Sequence, residues 1–150
     1  MSLDVPAVWS ALHGLEVRPI DDGGLINQTF VAGQPVRWVV QRVNDAIFRP
    51  EIHQDIEGVT AHLEARARVT PRLLRTDDGR LCAVTSEGRI WRVMGFLPGE
   101  TVHRIDSLER AHAAGALVAD FHAAVDDLAC GNTITCVPVR TTPSRTWPHS

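Results

Sequence analysis

The run Arg37–Val43, with the sequence Arg-Trp-Val-Val-Gln-Arg-Val, is the clearest β-strand signal in the chain. It is rich in β-branched and aromatic residues, which favour a pleated, half-buried conformation. Successive side chains of a strand point to opposite faces of its sheet. The strand therefore places Val39 and Gln41 on one face, and Val40 and Arg42 on the other.

Shorter strand signals precede this run. Val17–Ile20 and Leu25–Val31 are β-leaning segments, and the turn-forming residues Asp21–Gly24 separate them. A second turn is predicted at Gly33–Pro35, because glycine and proline adopt the backbone conformations that tight turns require. The first half of the chain is therefore predicted to contain three consecutive strands.

Three more strands are predicted in the second half of the chain. Leu73-Leu74 begins the first, and Asp77–Gly79 is a hairpin-turn signal. Leu81–Thr85 is expected to pair back across that turn. After another turn, Arg89–Leu97 forms the last strand.

Three helices are predicted from apolar periodicity. A short N-terminal helix carries its apolar face on Val5, Val8, Trp9, Leu12 and Leu15. A second begins at Pro50 and ends near residues 66–68. The third is capped by Ser107 and runs from Leu108 to about Leu128. Its predicted buried stripe consists of Leu108, Ala111, Ala114, Val118, Phe121, Val125 and Leu128.

Clustered strands with one inserted helix indicate an α+β fold on an antiparallel sheet. The chain has 150 residues, of which 44% are apolar and 22% charged, and these values suit a soluble globular domain. Residues 130–150 show no periodicity and are expected to be irregular.

Composition argues against several classes of partner. A net charge of -3 gives no support for nucleic-acid binding, and no apolar run approaches the roughly 18 residues of a membrane span. Neither the three cysteines nor the seven histidines are spaced as metal ligands, so no metal site is predicted. Reduced thiols and the lack of a signal peptide favour a cytoplasmic location. All 15 basic residues are arginine.

Five segments, in this order along the chain, resemble a known family. The chain is similar to aminoglycoside phosphotransferases, which are kinase-like enzymes, and in particular to their N-acetylhexosamine 1-kinase branch. The resemblance extends over residues 15–128. The five segments are Gly23–Phe30, Trp38–Asn44 with Phe48, Ile56–Leu63, Trp91–Gly99 and Val118–His122.

The resemblance implies a division of the chain and an activity. Residues 1–100 would form a kinase-like N-terminal lobe, residues 101–129 the linker and first helix of the C-terminal lobe, and residues 130–150 a tail. The implied activity is ATP- and Mg-dependent phosphorylation of a hydroxyl on a small sugar-like or aminoglycoside-like substrate. The implied partners are a nucleotide and that small molecule.

The resemblance also implies which residues meet the phosphates. The turn containing Gly24, Asn27 and Thr29 would fold over them, since glycines let backbone N–H groups approach an anion. The family's third strand offers a lysine there. Alignment places Gln41 at that position, whereas a slip of one residue would place Arg42 there.

The remaining implied contacts concern the helix and the base. Glu57 is the first candidate for the acidic helix partner of the strand residue, and Asp55 is the second; either could instead be a solvated helix charge. Val39 would cover the adenine. Met94 and Phe96 belong to the segment whose backbone would hydrogen-bond the base, and both could equally be plain core residues.

The catalytic acids implied by the resemblance do not occur after Leu128. The family places them in a His-x-Asp-x-x-x-x-Asn motif and a later Asp-x-Asp, which also bind Mg. We therefore predict no catalytic residue in this chain, suspect truncation, and expect it to be inactive alone. The alternatives are a noncatalytic nucleotide-binding or interaction remnant, and an unstable fragment that self-associates through an exposed face including Phe96 and Leu108.

Overall fold

The computed structural model describes residues 4–20, 26–100 and 102–128. Its strands form a five-stranded antiparallel sheet in the order β1-β2-β3-β5-β4, which confirms the predicted α+β class. The elements are a 3-10 turn at Ser10–Leu12, strands β1 (Val17–Pro19), β2 (Gln28–Ala32) and β3 (Trp38–Val43), helix α1 (Ile52–Ala65), strands β4 (Ala83–Val84) and β5 (Ile90–Gly95), and helix α2 (Leu108–Val125).

One face of the sheet forms the main core. Val40 in the central strand lies opposite Phe30 of β2 and Val93 of β5, and both Val40 and Val93 are fully buried. The N-terminal segment covers this face with Trp9 and Leu12. The predicted alternation of β3 therefore holds: the Val40 face is the core face, and the Val39 face lies on the other side.

The predicted N-terminal helix is wrong, because this segment forms only the 3-10 turn at Ser10–Leu12. Trp9 has an extended backbone (φ -122°, ψ 98°). The N–H of Ser10 donates to both carboxylate oxygens of Asp77, at 2.9 and 3.0 Å, instead of to a helical carbonyl. A contact 67 positions along the chain thus overrides local periodicity. Burial of Trp9 and Leu12 is nevertheless confirmed.

Asp77 is expected to make stability depend on pH. Backbone and hydroxyl hydrogen bonds from Ser10 lower the pKa of Asp77 below its ordinary value. The unfolded chain therefore binds the proton more readily, so this stabilisation is present above about pH 4 and is lost as the pH falls through the folded pKa. Asp77→Asn should lower the urea midpoint at pH 7. It should also reduce the fall in the free energy of unfolding as the pH drops from about 5 to 2.

The measurement is urea unfolding of the parent and Asp77→Asn across this range. Glu87→Gln, which removes an exposed carboxylate from the turn before β5, serves as the control. An equal decline for the parent and Asp77→Asn would show that the contact with Ser10 contributes nothing.

The predicted pairing of Leu81–Thr85 with Leu73-Leu74 is wrong. Both segments pair with β5: Leu73 forms a bridge with Met94, and Ala83 lies opposite Trp91. The six residues of β5 are long enough to accommodate both segments one after the other on the same edge. The turn itself is confirmed, with Gly79 at φ 85°.

Helix α2 begins at Leu108 as predicted but ends at Val125 rather than near Leu128, and α1 begins at Ile52, two residues after the predicted Pro50. The hydroxyl of Ser107 accepts a hydrogen bond from the Arg110 N–H at 3.2 Å, which confirms the predicted N-cap. Near its C-terminus α2 packs on α1. There, His62 Nε2 donates to the Ala124 carbonyl at 3.0 Å.

The predicted burial of the α2 stripe is wrong over most of its length. Leu108 is 90% exposed and Phe121 is 45% exposed. Ala111 and Val118 are also exposed, whereas Ala114, Val125 and Leu128 are half-buried. The cause is that α2 meets α1 only near its C-terminal end, where Ala124 is buried. None of the described helices is long and apolar enough to cross a membrane.

Candidate functional site

Three polar side chains form a row across the sheet on the face opposite the main core. Thr29 of β2 lies opposite Gln41 of β3, and Gln41 lies opposite Arg92 of β5. Gln41 Nε2 donates to Thr29 Oγ1 at 3.0 Å, and Arg92 Nε donates to Gln41 Oε1 at 2.8 Å. We call Thr29, Gln41 and Arg92 the polar row. Its two hydrogen bonds fix which way the Gln41 amide faces.

Apolar side chains lie next to the polar row on the same face. Val31, Val39 and Met94 are paired across β2, β3 and β5, two positions along each strand from the polar row. Val31 is buried, whereas Val39 and Met94 are half-buried. We call these three residues the apolar patch. A flat apolar surface beside polar donors is a common arrangement in small-molecule sites.

Arg92 is a half-buried cation without an acidic partner in the described part of the chain. Burial lowers the pKa of the Arg92 guanidinium, and no carboxylate within residues 4–20, 26–100 and 102–128 offsets this effect. Its one hydrogen bond among the described residues is the contact with neutral Gln41. An arginine remains charged even in such surroundings. Among the residues that the structure describes, the positive charge of this site is therefore not compensated by an acid.

His53 of α1 contributes a buried imidazole that Arg92 influences. Its side chain is 1% exposed, and its Nδ1 donates to the Pro50 carbonyl at 2.8 Å. Burial is the main cause that lowers the pKa of His53, and the charge of Arg92 acts in the same direction. The imidazole is therefore neutral near pH 7. Within the described residues, its Nε2 has no hydrogen-bond partner.

Glu57 binds arginines that follow α1, not the polar row. Its Oε1 lies 3.2 Å from Arg72 Nη2 and 2.9 Å from Arg75 Nη2. Glu57 is thus neither paired with the third strand nor a solvated helix charge. Asp55, the second candidate, is half-buried on the same helix.

Two of the predicted phosphate contacts lie away from the polar row. Arg42 points to the opposite face, where it lines an open cleft of about 240 Å³ together with Gln28 and Arg89. Asn27 Oδ1 accepts a hydrogen bond from the Asn44 N–H at 3.0 Å and so ties the start of β2 to the end of β3. Gly24 lies outside the described residues.

Phe96 lies just beyond β5. Its N–H donates to the Arg37 carbonyl at 3.0 Å, and its side chain is partly exposed. The structure thus brings Thr29, Gln41, Val39 and Met94 together on one face, with Phe96 beyond the end of β5.

Arg92 is the residue that sequence analysis missed. The signal was available as a single arginine among the apolar residues of the last strand. Its position beside Gln41 depends on the pairing of β3 with β5, two strands separated by α1 along the chain. As for metals, the described ranges contain no group of three or more His, Cys, Asp or Glu residues that could hold an ion.

Comparison with known proteins agrees with this architecture. A family model described as "Phosphotransferase enzyme family" matches residues 16–146, which is most of the chain. A search of curated proteins finds no significant match.

Proposed function

Because this chain belongs to the phosphotransferase enzyme family, we propose that the polar row and apolar patch bind ATP for phosphoryl transfer to a small molecule. The observation that carries this proposal is that polar donors and an apolar surface share one sheet face, where half-buried Arg92 pairs with no acid among the described residues. A nucleotide has a flat apolar base and an anionic tail. The two parts of the site match these two parts of the ligand.

The apolar patch suits the base. Val39 and Met94 are half-buried, so part of each side chain is open to a ligand. The Phe96 N–H donates to the Arg37 carbonyl, so a backbone N–H that donates to the base must come from a residue after Phe96. The first such donor is the N–H of Leu97, a residue whose side chain is also exposed.

The acceptor that we propose is a hydroxyl of a sugar-like molecule. Support comes from the resemblance of Trp38–Asn44 and the segments around it to the N-acetylhexosamine 1-kinase branch. The family match supports phosphoryl transfer in general. Phosphorylation of N-acetylhexosamines, compared with aminoglycosides, would test the finer assignment in a protein that also carries the catalytic acids.

The chain alone is proposed to bind ATP without turning it over. Phosphoryl transfer requires an acid that positions the acceptor hydroxyl and acidic ligands for Mg²⁺. Residues 129–150 contain no aspartate or glutamate, and the described residues hold no candidate metal group. The residues that the structure describes therefore do not fit Mg²⁺.

Calorimetric titration of the 150-residue chain with ATP tests this proposal. We expect saturable binding with a dissociation constant between about 1 µM and 1 mM, in the range typical of enzyme substrates. We expect no ADP above the buffer control when the complex is incubated with Mg²⁺ and an acceptor sugar. Absence of ATP binding at millimolar concentration would refute the nucleotide site, and steady ADP formation would refute inactivity.

A further inference from the structure

Resting on the proposed function, we infer that Arg92 of β5, oriented by Gln41, binds the phosphates of ATP and supplies the positive charge that β3 lacks. The chain contains no lysine, so an arginine must provide any fixed side-chain cation at the phosphates. Arg92 of β5 lies on the sheet face that carries the polar row and the apolar patch, whereas Arg42 of β3 lies on the opposite face.

The hydrogen bonds of the polar row orient the guanidinium. Thr29 Oγ1 accepts from Gln41 Nε2 at 3.0 Å, and Gln41 Oε1 accepts from Arg92 Nε at 2.8 Å. Each glutamine amide end therefore has a partner, and the Arg92 side chain is held along its Nε edge. The two Nη groups are the remaining donors, and they form the fork that binds phosphate oxygens in a bidentate manner.

The surroundings leave this charge without a protein counter-ion in the described part of the chain. His53 of α1 is a neutral imidazole near pH 7, because burial and the charge of Arg92 lower its pKa. The Glu57 carboxylate pairs through Oε1 with Arg72 and Arg75, and its Oε2 is buried with no hydrogen-bond partner among the described residues. A half-buried cation is costly unless an anion compensates it. The phosphates of a nucleotide whose base lies on the apolar patch would provide that anion.

Gln41 acquires a positioning role from this arrangement. It is uncharged and already engaged at both ends of its amide. Its contribution to phosphate binding is therefore indirect, through the orientation of Arg92. Gln41→Ala should weaken ATP binding less than Arg92→Gln does, because it keeps the Arg92 charge and removes only the hydrogen bond that orients the guanidinium.

Titration with ATP and with adenosine separates phosphate binding from base binding. Arg92→Gln should weaken ATP binding about 10- to 100-fold, as expected for the loss of charge-assisted hydrogen bonds. Adenosine binding should stay within about twofold of the parent, because adenosine carries no phosphate. Arg92→Lys should recover part of the loss, since lysine keeps the charge but not the fork.

The matched control is Arg89→Gln, which removes the same charge from an exposed residue just before β5 and should leave ATP affinity unchanged. If Arg92→Gln unfolds, the unsubstituted protein still decides the question. Its assigned Arg92 Nε–H resonance should shift when ATP is added and stay in place with adenosine.

The outcomes distinguish this inference from the proposed function. If the parent binds ATP while Arg92→Gln changes ATP and adenosine binding equally, or changes neither, the role of Arg92 is refuted and the nucleotide site survives. If the chemical shift of the Arg92 Nε–H does not change when ATP binds, the role of Arg92 is likewise refuted. If the parent binds neither ligand, the proposed function fails and this inference fails with it.

Discussion

Trp9→Ala is expected to lower the free energy of unfolding by about 3 to 5 kcal/mol, the range for removing a large aromatic side chain from a core. Trp9 is 1% exposed and belongs to the cluster that contains Val40 and Val93. Its Nε1 also donates to the Leu74 carbonyl at 3.0 Å. The substitution therefore removes both the cover of the sheet and a hydrogen bond to the segment that precedes β4.

Urea unfolding monitored by circular dichroism measures this loss. Trp9→Phe retains most of the ring but not the N–H, and should cost about 1 to 3 kcal/mol for the unsatisfied carbonyl. Leu117→Ala on α2 is the control, because Leu117 is 71% exposed and should change stability by less than about 0.5 kcal/mol. A Trp9→Ala loss as small as that of the control would mean that the N-terminal segment does not cover the sheet in solution.

Val39→Phe is expected to weaken the binding of ATP and adenosine alike, by roughly 10- to 100-fold. Val39 is half-buried at the centre of the apolar patch, between Val31 and Met94. A phenyl ring there would occupy the space proposed for the base. The effect differs from that of Arg92→Gln, which should act on ATP only.

Parallel titrations of both ligands provide the measurement. Val84→Phe enlarges an exposed valine on β4, away from the apolar patch, and should leave both affinities unchanged. Thermal unfolding checks that Val39→Phe remains folded. Unchanged adenosine affinity in folded Val39→Phe would place the base elsewhere and would leave the Arg92 contact open to its own test.

Several sequence predictions held because they depend on local interactions. Alternation within Trp38–Val43 correctly separated the core face of β3 from the candidate site face. The Ser107 cap and the helix from Ile52 follow from the same short-range rules. Strand alternation and helix capping involve residues only a few positions apart in the chain, so the sequence alone can predict them.

The errors have the opposite cause. The N-terminal segment does not form a helix, because the Ser10 N–H donates to the Asp77 carboxylate. The Leu81–Thr85 segment pairs with β5 instead of with Leu73-Leu74. In α2, periodicity located an apolar stripe but did not show how much of it a neighbour covers. Each outcome depended on contacts between distant parts of the chain, which local propensity does not describe.

Periodicity and resemblance were thus sufficient for the α+β class and for placing Val39 and Gln41 on one face. The tertiary structure alone decided which cation joins them. Arg92 is 51 positions from Gln41, and antiparallel pairing of β3 with β5 makes them neighbours. The sheet places Gln41 beside Arg92 and Arg42 on the other face, because a strand side chain reaches only the face on its own side.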